Sequence, residues 1–158
     1  MTWRGSTTIT DRIVASLLYL IPLLNSLQFA VPFFSQFPEL QFLLIPLMPL
    51  IQIYSLPFVS LAIFFAVFLL VVRNENMSHF VRFNGMQAIL LSIVLFLCSI
   101  IIQFVFQPLL GGGLLLETLF NVVFLGTLTA VIYSVVQSVL GRYAEIPALS
   151  DAVYMQVR

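Results

Sequence analysis

Four long stretches of the chain carry no Asp, Glu, Lys or Arg: residues 13–38, 40–72, 83–116 and 118–141, of 26, 33, 34 and 24 residues. A helix needs about 20 apolar residues to cross a hydrocarbon core of roughly 30 Å. The pattern therefore predicts an all-α polytopic membrane protein, a single integral domain over residues 1–158 with four transmembrane helices. The spans are expected at about 12–34, 56–72, 83–106 and 115–140. Residues 40–72 exceed one span, and Pro46, Pro49 and Pro57 break their first half. A short interfacial or re-entrant helix is expected at about 39–53, between spans one and two.

Local signals set the ends. Thr8 and Asp11 have the spacing of a capping box, with Thr10 as a competing cap, so the first helix should start near Asp11. Pro22 should kink that helix or be absorbed by its neighbours. Ser78 is placed to cap the third. The triple glycine 111–113 makes the turn before the fourth, and Gly141 is placed to end it. The tail 142–158 carries Val153, Tyr154 and Val157, with Ser150 as a cap, and is expected to lie on the membrane surface.

Charge then orients the bundle. All six arginines fall at the termini or in the central loop: Arg4, Arg12, Arg73, Arg82, Arg142 and Arg158. The turns after the first and third spans hold only Glu39 and Glu117. This bias places both termini on the cytoplasmic side or its organellar equivalent. The chain is 61% hydrophobic and 8% charged, against about 25% charged in an average soluble domain. Lysine is absent and no basic run exists, so nucleic acid is not an expected partner. The first apolar run is too long for a signal peptide, and no transit-like segment precedes it, so an uncleaved first span is expected.

Residue chemistry argues against an enzyme and implies no cofactor. His79 is the only histidine and lacks any metal-binding companion motif. Cys98 is alone inside a span. The six carboxylates are scattered along the chain, and none lies deep in a span, where proton-coupled transporters place them. The polar content of the spans is of another kind. Gly126, Ala130, Ser134 and Ser138 form a stripe at a spacing of four, flanked by Tyr133 and Gln137. Asn84, Ala88, Ser92, Ser99 and Gln103 share a face of the third span. Such faces pack against each other, or against the first span through Ser16, Tyr19 and Asn25; alternatively they line a polar path.

Two segments carry a more specific pattern: HFVRFNGMQAILL at 79–91 and YSVVQSVLGRYAEIPALSDAVYMQVR at 133–158. Both resemble the family of the twenty-kilodalton subunit of the chloroplast inner-envelope translocon (the TIC complex), including cyanobacterial and algal-plastid members. The shared residues are Arg82, Phe83, Asn84 and Gln87 in the third helix. At the end of the fourth they are Gln137, Gly141, Arg142, Tyr143, Ile146 and Pro147. Family members often carry an acidic residue near the position of Ser92. The resemblance implies a protein-import component that contributes to a protein-conducting or protein-inserting assembly. The alternative is a structural or assembly partner of a larger, for example photosynthetic, membrane complex. Expected partners are membrane lipid, other membrane subunits and further copies of the chain. The expected membrane is a cyanobacterial plasma or thylakoid membrane, or a plastid inner envelope. In a cyanobacterium, which has no envelope import, the resemblance carries fold and ancestry more than activity.

Overall fold

The first helix starts where a hydroxyl and a carboxylate satisfy its free amides. Thr8 Oγ1 accepts from Asp11 N at 3.1 Å, and Asp11 Oδ2 accepts from Thr8 N at 3.1 Å. The capping box is thus formed by Thr8, and the helix begins at Ile9 rather than near Asp11. The computed structural model describes residues 6–157; Arg4 and Arg158 lie outside the described residues. Among the described residues seven helical elements follow in order: α1 Ile9–Phe29, α2 Val31–Gln36, α3 Pro38–Tyr54, α4 Val59–Val72, α5 His79–Leu110, α6 Leu114–Val139 and α7 Leu149–Gln156. Among the described residues there is no strand.

Helices α1, α5 and α6 are each long and apolar enough to cross a membrane. Helices α3 and α4 supply up to a fourth crossing as a bent pair, angled at 94°. The protein is an all-α polytopic membrane protein with a short helical segment after its first span. The bend has a local cause. Pro38, Pro46 and Pro49 cannot donate to a helical ladder, and residues 38–47 tighten into 3₁₀ geometry. After Pro57 the chain turns through Phe58, which holds φ of 65°.

Prolines also shape α1. It breaks at Tyr19, three residues before the buried Pro22, and then continues to Phe29. The chain restarts as α2, whose Phe33 ring meets Phe124 of α6 with 5.4 Å between centroids. Helix α5 starts at the expected cap, where Ser78 Oγ accepts from Val81 N, and runs on past 106 to Leu110.

Helix α1 lies between α5 and α6 and touches both far more than they touch each other. Leu18, Tyr19, Val81, Ala88, Leu91 and Val131 join these three helices in one buried cluster. A second cluster brings Val153 and Val157 of the C-terminal segment onto Phe83, Met86 and Ile89 of α5. The tail is therefore folded against the bundle, where burial of its two valines stabilises it. Outward-facing residues such as Phe104, Leu109, Leu114 and Val122 are exposed, an apolar surface suited to lipid.

Candidate functional site

Four polar side chains from three helices meet at the arginine-bearing end of the bundle: Tyr19, Asn84, Gln87 and Ser138, each fully buried. In an apolar surrounding such groups persist only if hydrogen-bonded. The Tyr19 hydroxyl donates to Asn84 Oδ1 at 2.8 Å and accepts from Gln87 Nε2 at 2.9 Å. Ser138 Oγ donates to the same Asn84 oxygen at 3.2 Å, and Asn84 Nδ2 donates to Phe80 O. Gln87 also donates to the carbonyl of Ala144, and its Oε1 receives Ile146 N at 3.5 Å. One side chain of α5 thus pins the segment that leaves α6. Ser134 lies close to the Tyr19 hydroxyl without the geometry of a full hydrogen bond.

A ring of aromatic contacts closes the cluster toward the outside. Tyr143 packs edge-on against Phe83 at 5.0 Å and Phe80 at 5.2 Å, and its hydroxyl sits 2.9 Å from His79 Nδ1. Tyr154 of α7 also packs on Phe83, with 4.9 Å between centroids, and donates to Glu145 Oε1 at 2.6 Å. Arg82 takes a different part. Helix α4 ends in a wide π-type turn, with Arg73 N donating to Phe68 O. The Val72 carbonyl left at that end accepts Arg82 Nε at 2.9 Å. Arg82 therefore clips α4 to the start of α5.

The other sequence-predicted positions are dispersed. Gln137 is half-buried and Arg142 exposed, both beside a polar pocket next to α1. Gly141 has φ of 73°, and a Cβ there would sit 2.6 Å from Thr7 Oγ1 and 2.8 Å from Arg12 Nε. Pro147 is exposed; it precedes Ala148, with φ of 69°, in a turn closed by Leu149 N donating to Ile146 O. Of the small-residue stripe, Ser134 and Ser138 are buried and Ala130 partly so, while Gly126 faces outward with no atom near its Cβ position. A strict spacing of four drifts by about 40° per step around a helix of 3.6 residues per turn. The packed face is instead Phe124, Thr127, Val131, Ser134 and Ser138. On α5, Asn84, Ala88 and Ser92 are buried, but Gln103 is exposed.

Tyr19 is the hub that residue patterns undervalued, since one tyrosine in an apolar span reads as a minor partner. A second polar bridge, Tyr54 Oη to Asn25 Oδ1 at 2.9 Å, ties the bent segment to α1. Among the described residues no group of three His, Cys, Asp or Glu side chains could hold a metal.

The bundle and its sealed polar core define a small polytopic α-helical membrane protein. The chain belongs to the Tic20 family: the family model described as chloroplast import apparatus, Tic20-like, matches residues 8–153. It is 52% identical over 149 residues to a Tic20 family protein of Synechocystis sp., covering 94% of this chain and 93% of that one. It is 35% identical over 155 residues to protein TIC 20-II, chloroplastic, of Arabidopsis thaliana (96% and 74% covered). It is also 35% identical over 164 residues to Tic20 family protein Ycf60 of Gracilaria tenuistipitata var. liui (95% and 76% covered).

Proposed function

We propose that the chain is a non-enzymatic membrane subunit of a protein-translocating or protein-inserting assembly, and that it meets its passenger at the groove beside the bent pair. The observation that carries this reading, beyond family membership, is a cavity of about 340 Å³ between α1, the bent pair and α5. Asn25, Tyr54, Ser60 and Ser92 give it polar edges, and Phe64 and Phe96 an apolar wall. A polypeptide entering lipid carries unsatisfied backbone groups, each costing several kcal/mol. A groove with amides and hydroxyls beside aromatic rings accepts both the backbone and the apolar side chains of such a segment. The Tyr19–Asn84–Gln87 cluster is closed and saturated, which suits a frame rather than a path. Conduction in this reading belongs to a lateral face completed by other membrane subunits or further copies.

Photocrosslinking tests it. A probe at Ser60 or Phe96 should capture a passenger arrested in transit, whereas a probe at the exposed Leu125 of α6 should not. Passenger transit without adducts from Ser60 or Phe96 would sink the groove reading and leave a scaffold role. The orientation in this proposal has the arginine-bearing end toward cytoplasm or stroma, supported by the distribution of the six arginines. A reporter fused after Arg158 should read on that side, and one in the 111–113 turn on the opposite side. The reverse pattern would overturn it.

A further inference from the structure

We infer that the polar pocket between α1 and the end of α6 is a binding site for the phosphate headgroup of an anionic membrane lipid. Its walls are Thr7, Arg12, Gln137, Gly141, Arg142 and Glu145, around a volume of about 590 Å³. That is the space of roughly twenty liquid waters, at about 30 Å³ each, ample for a hydrated phosphoglycerol group. The pocket is built rather than incidental. Gly141 has no side chain, so the Arg12 guanidinium lies directly on the backbone at the corner after α6. Thr7 Oγ1 accepts Arg12 Nε at 3.2 Å and fixes the plane of the group. The two terminal nitrogens of Arg12 remain as donors in the geometry that binds phosphate in a bidentate fashion.

The charge balance favours an anion. Two guanidinium groups face the pocket against one carboxylate. That carboxylate, Glu145, is drawn toward α7 by the Tyr154 hydroxyl at 2.6 Å. The neighbouring Asp11 is occupied in capping α1. Among the described residues no carboxylate pairs with Arg12 or Arg142. A half-buried arginine in the first turns of a membrane helix requires a counter-charge, and basic pockets between transmembrane helices take lipid headgroups. The surroundings favour a lipid over a soluble anion. Ile13 and Leu17 on α1, Val136 on α6 and Leu140 just after it are next in sequence to pocket residues or about one turn from them, are all exposed, and leave apolar surface for acyl chains.

Thermal unfolding of the full chain in neutral detergent tests the assignment, with added phosphatidylglycerol, phosphatidylcholine or inorganic phosphate. Phosphatidylglycerol should raise the midpoint well above the shift given by phosphatidylcholine. Arg12→Gln and Arg142→Gln should each weaken its apparent affinity roughly tenfold, the loss of one charge-assisted contact. Arg142 is exposed, so Arg142→Gln should fold normally and keeps the test decisive if Arg12→Gln does not. Equal stabilisation by both lipids, or a phosphatidylglycerol effect untouched in Arg142→Gln, would refute the site. A shift of the same size from inorganic phosphate alone would refute the lipid and assign the pocket to a soluble anion. The pocket is independent of the passenger groove, so crosslinking and lipid binding can fail separately.

Discussion

Gln87→Leu should destabilise the fold by about 2–5 kcal/mol, measured as loss of stability in denaturant titrations in detergent. Gln87 serves Tyr19, the Ala144 carbonyl and the Ile146 amide at once. Interhelical hydrogen bonds in membrane proteins average about 0.6 and reach about 1.7 kcal/mol each. Leucine leaves the Ala144 carbonyl and the Ile146 amide without their side-chain partner, and buried groups so stranded cost about 1–3 kcal/mol apiece. The loss should be local first. Segment 142–157 should become protease-sensitive before the helices unfold, because Gln87 is the buried side chain that holds its backbone to α5 at two points. Gln103→Leu is the comparison: Gln103 is exposed near the far end of α5, and its removal should change stability by no more than about 0.5 kcal/mol. Equal effects at the two glutamines would show that the buried cluster does not hold the tail.

Gly141→Ala should cost about 2–3 kcal/mol, from two additive sources. Its φ of 73° is a left-handed conformation that penalises an L-residue by about 1–2 kcal/mol. The new methyl would also meet Thr7 Oγ1 and the Arg12 guanidinium at 2.6–2.9 Å, breaking the hydrogen bond between them. Gly126→Ala isolates the ordinary behaviour of a helical glycine. That position is exposed with open space around it, so alanine should be neutral or stabilise by up to about 1 kcal/mol. A thermal melt of the two variants side by side should show a large downward shift for Gly141→Ala and none, or an upward one, for Gly126→Ala. If Gly126→Ala proves strongly destabilising, the outer face of α6 is packed against another copy or subunit.

The resemblance to the import-apparatus family was legible in Arg82–Gln87 and Gln137–Pro147, but the work done by each residue was not. Asn84 and Gln87 read as polar groups wanting partners, and the structure supplies Tyr19, Ser138 and two backbone groups 57 and 59 residues away. No local pattern encodes such a pairing. Arg82 read as one of the arginines that orient the bundle, and the structure adds that its Nε donates to a carbonyl at the end of α4. Glycine at 141 read as a helix stop, which it is, while its contact with Arg12 joins positions 129 residues apart in sequence. The small-residue stripe on α6 divides for a geometric reason: a period of four leaves the packed face after about two turns, so Ser134 and Ser138 are buried and Gly126 is exposed.

By itself the sequence determined the class of protein, because length and hydropathy of a run suffice to decide whether a helix can cross lipid. It also carried local stop and start signals at Thr8, Ser78 and Gly141, because caps and φ preferences act within a few residues, while the breaks at Tyr19 and Phe58 and the run of α5 to Leu110 came from the structure. Tertiary structure alone decided that α1 sits between α5 and α6, that the tail packs onto Phe83, and that Arg12 and Arg142 meet at one pocket. These depend on side chains far apart in the chain competing for the same partners. In a membrane, where apolar contact with lipid is nearly as good as contact with protein, a few buried polar groups settle that competition.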